Sequence, residues 1–155
     1  MTKRASTLWL VFFILSAETA GLVGAFFVGN IDAWYDLLNK PFFSPPNWLF
    51  GPVWTLLYLL MGIAAYVVWR ELEEGKAAMR VYWVQLLANA VWTPIFFGLH
   101  NVALALADIL LLLILIIATM IAFARVRGTA AILLIPYVAW VSFAAILNFA
   151  IWYLN

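Results

Sequence analysis

Five apolar stretches of about 20 residues, with nearly every charge of the chain lying between them, decide what this sequence can fold into. A helix rising about 1.5 Å per residue needs about 20 apolar residues to cross roughly 30 Å of hydrocarbon. Such stretches run over residues 8–29, 48–69, 79–99, 102–123 and 130–153. The charges fall at Lys3 and Arg4, from Asp32 to Lys40, from Arg70 to Arg80, and at Arg125 and Arg127, with Glu18 and Asp108 as the exceptions. Alternating barrel-type patterning is absent, because Ile109–Ile117 is apolar at every position. The expected fold is all-α: one domain over 1–155, an integral membrane bundle of five transmembrane helices.

Composition closes the alternatives. Hydrophobic side chains make up 68% of the 155 residues and charged ones 10%, against roughly 45–50% and about 25% in soluble domains. With a mean hydropathy of +1.08, the 8 basic and 7 acidic side chains cannot cover the surface that a small soluble fold leaves in water. A net charge of +1 argues against a nucleic-acid partner, which would call for a basic patch. With no cysteine there are no disulfides, thiolate metal sites or cysteine nucleophiles. Lys3 and Arg4 before an apolar run resemble a secretory leader, but apolar character resumes after Glu18 and continues to Val28, beyond an h-region of about 7–15 residues. Lys3, Arg4, Arg70, Lys76, Arg80, Arg125 and Arg127 lie on one side and Lys40 alone on the other. The positive-inside rule then expects a cytoplasmic N-terminus and an outer C-terminus in a bacterial inner membrane.

The nine tryptophans divide by depth. Trp9, Trp34, Trp48, Trp69, Trp83 and Trp152 lie at or near span ends and fit an interfacial belt. Trp54 and Trp92 lie about 9–11 Å in from the outer end, Asn89 about 15 Å, and Trp140 about 20 Å. Asp108 and Asn148 lie about 8–9 Å deep, and Gln85 sits one turn below Asn89. Such groups are costly in lipid and should face the bundle interior. They serve either as interhelical hydrogen-bonding glue or as the lining of an aromatic cavity open to the outer side; their convergence at one depth favours the cavity. The connection Asn30–Pro46 reads as a semi-rigid cover, because Pro41, Pro45 and Pro46 restrict the backbone. Pro52, Pro94 and Pro136 should kink their spans, and Gly98 should open the hairpin at His100 and Asn101. Ala17, Gly21, Ala25 and Gly29 form a small-residue stripe suited either to packing inside the bundle or to a second copy.

The segments KPFFSPPNWLFGPVWTLLYLLMG (Lys40–Gly62), QLLANAVWTPIFFG (Gln85–Gly98), ALAD (Ala105–Asp108) and LLIPYVAWVSFAAILN (Leu133–Asn148) resemble the tryptophan-rich sensory protein/translocator protein family, also called the TspO/peripheral-type benzodiazepine receptor family. The likeness covers essentially the whole chain. It implies a five-helix bundle, usually dimeric, that binds protoporphyrin IX or haem-like tetrapyrroles and often sterols, with roles in transport, stress response or light-dependent porphyrin breakdown. The family's pocket tryptophans match Trp54 and Trp140, its third-span motif matches Asn89, Trp92 and Pro94, and its covering loop matches Tyr35, Pro45 and Pro46. Trp54 and Trp140 would be the catalytic pair if porphyrin is degraded. Two positions depart from the pattern: Phe43 stands where the loop usually carries Trp, and Phe149 with no following basic residue breaks the sterol-recognition pattern, itself weak evidence.

A porphyrin is a flat apolar macrocycle with two carboxylates on one edge. Indole faces of Trp54, Trp92 and Trp140 suit its faces, Asn89 can donate to it, and its propionates would lie near Lys40 or His100. No metal site is expected and no cofactor is required. Binding or transport leads, photo-oxidative degradation follows, and an ion pathway through Glu18 and Asp108 comes last.

Overall fold

A computed structural model describes residues 3–28 and 31–155; the described elements are all helical. They are α1 (Lys3–Val28), α2 (Ile31–Leu37), α3 (Asn47–Trp69), α4 (Leu72–Thr93), a π-helical turn (Pro94–Gly98), α5 (Val102–Val126), α6 (Gly128–Leu133) and α7 (Ile135–Leu154). The long helices α1, α3, α4, α5 and α7 run up and down, which leaves α2 and the hairpin at His100 at one end. Arg70, Glu71, Arg125 and Arg127 lie at the other. Four stretches are long and apolar enough to cross a membrane: Ser6–Gly24, Asn47–Trp69, Val102–Val126 and Gly128–Leu154.

The third stretch departs from its expected bounds. A helix beginning at residue 79 was the expectation, yet α4 starts at Leu72 and takes in Glu73, Glu74, Lys76 and Arg80. These are good helix formers, and acids in a first turn suit the helix dipole, so helix extends past the apolar limit. At its far end α4 gives way at Pro94, where the missing N–H breaks the regular ladder and a π turn carries the chain to Gly98. The last stretch is likewise divided at Leu134, just ahead of Pro136. The hairpin's left-handed residue is His100, at φ 53°, rather than Gly98.

The bundle interior is tight where small residues meet. Ala17 is fully buried on α1. A Cβ on Gly62 would lie 2.6 Å from the Ile14 Cα and 2.8 Å from the Phe13 carbonyl oxygen, so α1 and α3 touch backbone to backbone. A Cβ on Gly21 would run into the Tyr58 ring. Ala17 and Gly21 are therefore spent inside the bundle. Gly29 lies outside the described residues, as does the Ala25 side chain. Large apolar side chains such as Leu15, Leu87, Leu110, Ile114 and Ile146 point outward, a perimeter suited to lipid rather than water.

Two contacts fasten the ends. At the charged end, Arg127 Nε donates to Glu71 Oε1 at 2.8 Å, joining the α3–α4 turn to the α5–α6 turn. At the other, the backbone N–H of Asn39 donates to Asn155 Oδ1 at 3.0 Å, and Asn155 Nδ2 donates to the Asn39 carbonyl at 3.1 Å. The connection after residue 30 is not wholly irregular: α2 forms over Ile31–Leu37, because the prolines restrict only themselves and the residues before them.

Candidate functional site

A cavity of about 690 Å³ opens among α1, α3, α4, α5 and α7, towards the α2 end of the bundle. Its size falls within the range of small-molecule sites, about 300–1,000 Å³. Three features shape it. Gly21 and Gly24 let the Tyr58 ring and Thr93, both of them lining residues, close against α1. Pro94 and the π turn swing Phe96 and Phe97 around its rim. Tyr35, buried on α2, adds to its lining at that end.

Aromatic rings make the walls. Trp54 stacks on Tyr58 with centroids 5.4 Å apart and planes at 28°, and meets Tyr137 edge-on at 6.2 Å. Trp92 stacks on Phe96 at 5.0 Å and 24°. One stacked pair stands on α3 and the other spans the end of α4 and the π turn, and Trp54, Tyr58, Trp92 and Phe96 all line the cavity.

Beneath the rings runs a chain of buried hydrogen bonds. The Tyr58 hydroxyl donates to Asn89 Oδ1 at 2.7 Å, and Asn89 Nδ2 donates to the Tyr137 oxygen at 2.7 Å. The Tyr137 hydroxyl donates to Gln85 Oε1 at 3.2 Å, and Gln85 Nε2 reaches Met61 Sδ at 3.3 Å. Nearer the rim, Trp92 Nε1 donates to Asn148 Oδ1 at 3.2 Å, while Asn148 Nδ2 donates to the Val102 carbonyl at 3.0 Å. Glue and lining, set against each other as alternatives for these residues, coincide: Asn89 and Asn148 tie helices together and also face the cavity. Each keeps one amide hydrogen and lone-pair capacity for a ligand.

Of the residues singled out from sequence, Trp54, Asn89, Trp92 and Tyr35 line this cavity. Trp140, Pro45 and Pro46 are not among its lining residues. Trp140 packs against Phe50 at 5.9 Å and Phe143 at 5.6 Å, and its Nε1 is buried with no hydrogen-bond partner among the described residues. Its contact with Phe50 sets it beside the first turn of α3, while Asn155 beyond the end of α7 reaches Asn39. Lys40 pairs with Asp36 at 3.0 Å and lies 4.2 Å from the Tyr35 ring centroid. His100 stacks on Trp34 at 4.4 Å. Glu18 lines the cavity and Asp108 does not, so the structure does not bring these two acids to one track. Phe43 lies against Phe143 at 6.4 Å.

The reading from sequence passed over Tyr58 and Tyr137. The signal was present: Tyr58 follows Trp54 by four residues and Tyr137 precedes Trp140 by three, which places each pair on one helix face. Nothing in the sequence says which tyrosine hydroxyl finds Asn89.

Comparison with known proteins finds relatives over most of the chain. The model of the TspO/MBR family matches residues 12–154. The tryptophan-rich protein TspO of Archaeoglobus fulgidus is 43% identical over 148 residues, covering 94% of this chain and 96% of that protein. Protein CrtK of Rhodobacter capsulatus is 43% identical over 152 residues, 96% of this chain and 93% of the relative. The human translocator protein is 41% identical over 145 residues, 90% of this chain and 86% of its own.

Proposed function

The chain belongs to the TspO/MBR family, an integral multi-pass membrane protein, and from that premise we propose that its cavity binds a protoporphyrin IX- or haem-like tetrapyrrole for transport or stress sensing. The observation that carries this reading is the cavity itself: about 690 Å³, walled by the Trp54–Tyr58 and Trp92–Phe96 stacks. A flat apolar ligand gains both burial and ring stacking there, each aromatic pair adding about 0.5–1.5 kcal/mol beyond its area.

The reading includes five crossings, with α4 as the third. Its charged first turns would lie at the membrane surface, and Gln85, Asn89 and Trp92 would face the interior. It also includes a cytoplasmic N-terminus, which puts the cavity mouth on the outer side. Pairing of two copies belongs to it as well, through an outward apolar face rather than through Ala17 and Gly21, which the bundle consumes; light scattering of the detergent-solubilised protein tests that pairing.

The deciding experiment is a titration with protoporphyrin IX in the dark, followed by tryptophan fluorescence and then repeated under light. Saturable quenching at micromolar ligand is expected; its absence overturns the tetrapyrrole reading and makes a sterol or another lipid the better candidate. Light-dependent breakdown of the bound ring ranks second, because one of the two indoles it calls on, Trp140, is not among the residues that line the cavity. A new ring-opened pigment in the illuminated sample would promote it.

A further inference from the structure

The cavity's polar groups divide into two kinds. Tyr58, Asn89, Trp92 and Asn148 hold hydrogen bonds to one another, to Tyr137 or to backbone. Glu18 is the carboxyl among the described lining residues, and it makes no hydrogen bond or ion pair within the described protein. It is only part-buried and stands in the cavity lining. Gly21 and Leu22, three and four residues on, line the cavity beside it and fix the direction of this α1 face. The Tyr58 ring fills the place where a Gly21 side chain would stand, so an aromatic ring lies within a turn of Glu18. Counted from Val28 at the end of α1, Glu18 is about 15 Å deep.

A lone carboxyl at that depth is costly in lipid, and intramembrane acids normally meet a partner or serve a site. A cation beside it relieves the cost, and electron-rich rings add attraction for the same cation once water is excluded. Trp54 and Tyr58 provide those rings.

We propose that Glu18 gives the cavity a second class of ligand: a compact apolar molecule carrying a protonated amine, its ammonium held by the Glu18 carboxylate beside the Tyr58 ring. The apolar body would occupy the space among Trp54, Trp92 and Phe96. This inference stands apart from the tetrapyrrole reading. It requires only the cavity and the carboxyl.

The test uses the purified full chain in detergent and a matched pair of probes, 1-adamantylamine and 1-adamantanol, which share a body and differ in the charged nitrogen. Calorimetric titration is expected to show the amine binding at least tenfold tighter than the alcohol. Glu18→Gln is expected to erase that preference while leaving alcohol binding within twofold. An equal preference in both proteins, or no saturable amine binding to the unaltered chain, overturns the proposal. A second readout needs no variant: a hydrophobic carbodiimide should modify Glu18, and saturating amine but not alcohol should protect it, as read by peptide mass. Equal modification with either probe overturns the proposal even if Glu18→Gln fails to fold. Protoporphyrin titration of the same samples reports on the tetrapyrrole reading independently.

Discussion

Replacing Asn89 by Leu tests whether the buried hydrogen-bond chain holds the site in shape. Asn89 is 4% exposed and makes two 2.7 Å bonds, accepting from Tyr58 and donating to Tyr137. Leucine is close in size, so little cavity is created and the loss is mostly polar. Tyr137 keeps its bond to Gln85, whereas the Tyr58 hydroxyl loses its acceptor. Interhelical hydrogen bonds in membrane proteins average about 0.6 kcal/mol and reach about 1.7, so two of them together should cost about 1–3 kcal/mol. Reversible unfolding in mixed micelles, followed by circular dichroism, measures that loss. A double-mutant cycle with Tyr58→Phe isolates one bond, with an expected coupling of about 0.6–1.7 kcal/mol. Coupling indistinguishable from zero would refute the view that this bond orders the wall, and would leave Asn89 as a lining group only.

Other expectations follow from single contacts. Gly62→Ala meets α1 backbone at 2.6–2.9 Å and should cost about 1–3 kcal/mol through overpacking. Gly51→Ala, with nothing within 4 Å of the new Cβ, should gain up to about 1 kcal/mol from helix propensity; thermal midpoints in one detergent compare the pair, and equal midpoints contradict the packing argument. Trp54→Phe should weaken protoporphyrin binding more than Trp140→Phe, since Trp54 lines the cavity and Trp140 does not; fluorescence titration ranks them, and the reverse order counts against this site. Asn155→Ala removes the clasp on Asn39 and should speed release of bound ligand several-fold in stopped flow with little change in helix content. Arg127→Gln breaks an ion pair whose two side chains are 59% and 32% exposed; it should change stability by less than about 1 kcal/mol.

Much of this protein was legible without coordinates, because the bilayer tolerates so few solutions for a backbone. Long apolar runs bounded by charge can only be helices, and α1, α3, α5 and the α6–α7 stretch lie where apolarity placed them. The family likeness was equally plain in Lys40–Gly62 and Gln85–Gly98. Four cavity residues, Trp54, Asn89, Trp92 and Asn148, followed from depth along a helix, a quantity that depends on rise per residue and nothing else. Tyr35 came from the likeness.

Tertiary structure decided what depends on how separate helices meet. Counting along α7 put Trp140 about 20 Å from its outer end, but which ring it meets, Phe50 in the first turn of α3, is recorded by no single helix. The small-residue stripe of α1 could have faced a second copy; contacts of Gly21 with Tyr58 and of Gly62 with Ile14 turn this face of α1 inward. Helix limits followed hydrogen bonding rather than apolarity, which is why α4 begins seven residues early. Each polar residue of the third stretch was visible in the sequence, but its partner was not. Asn89 bonds to Tyr58 31 residues away and to Tyr137 48 residues away, distances that only the packing of three helices can close.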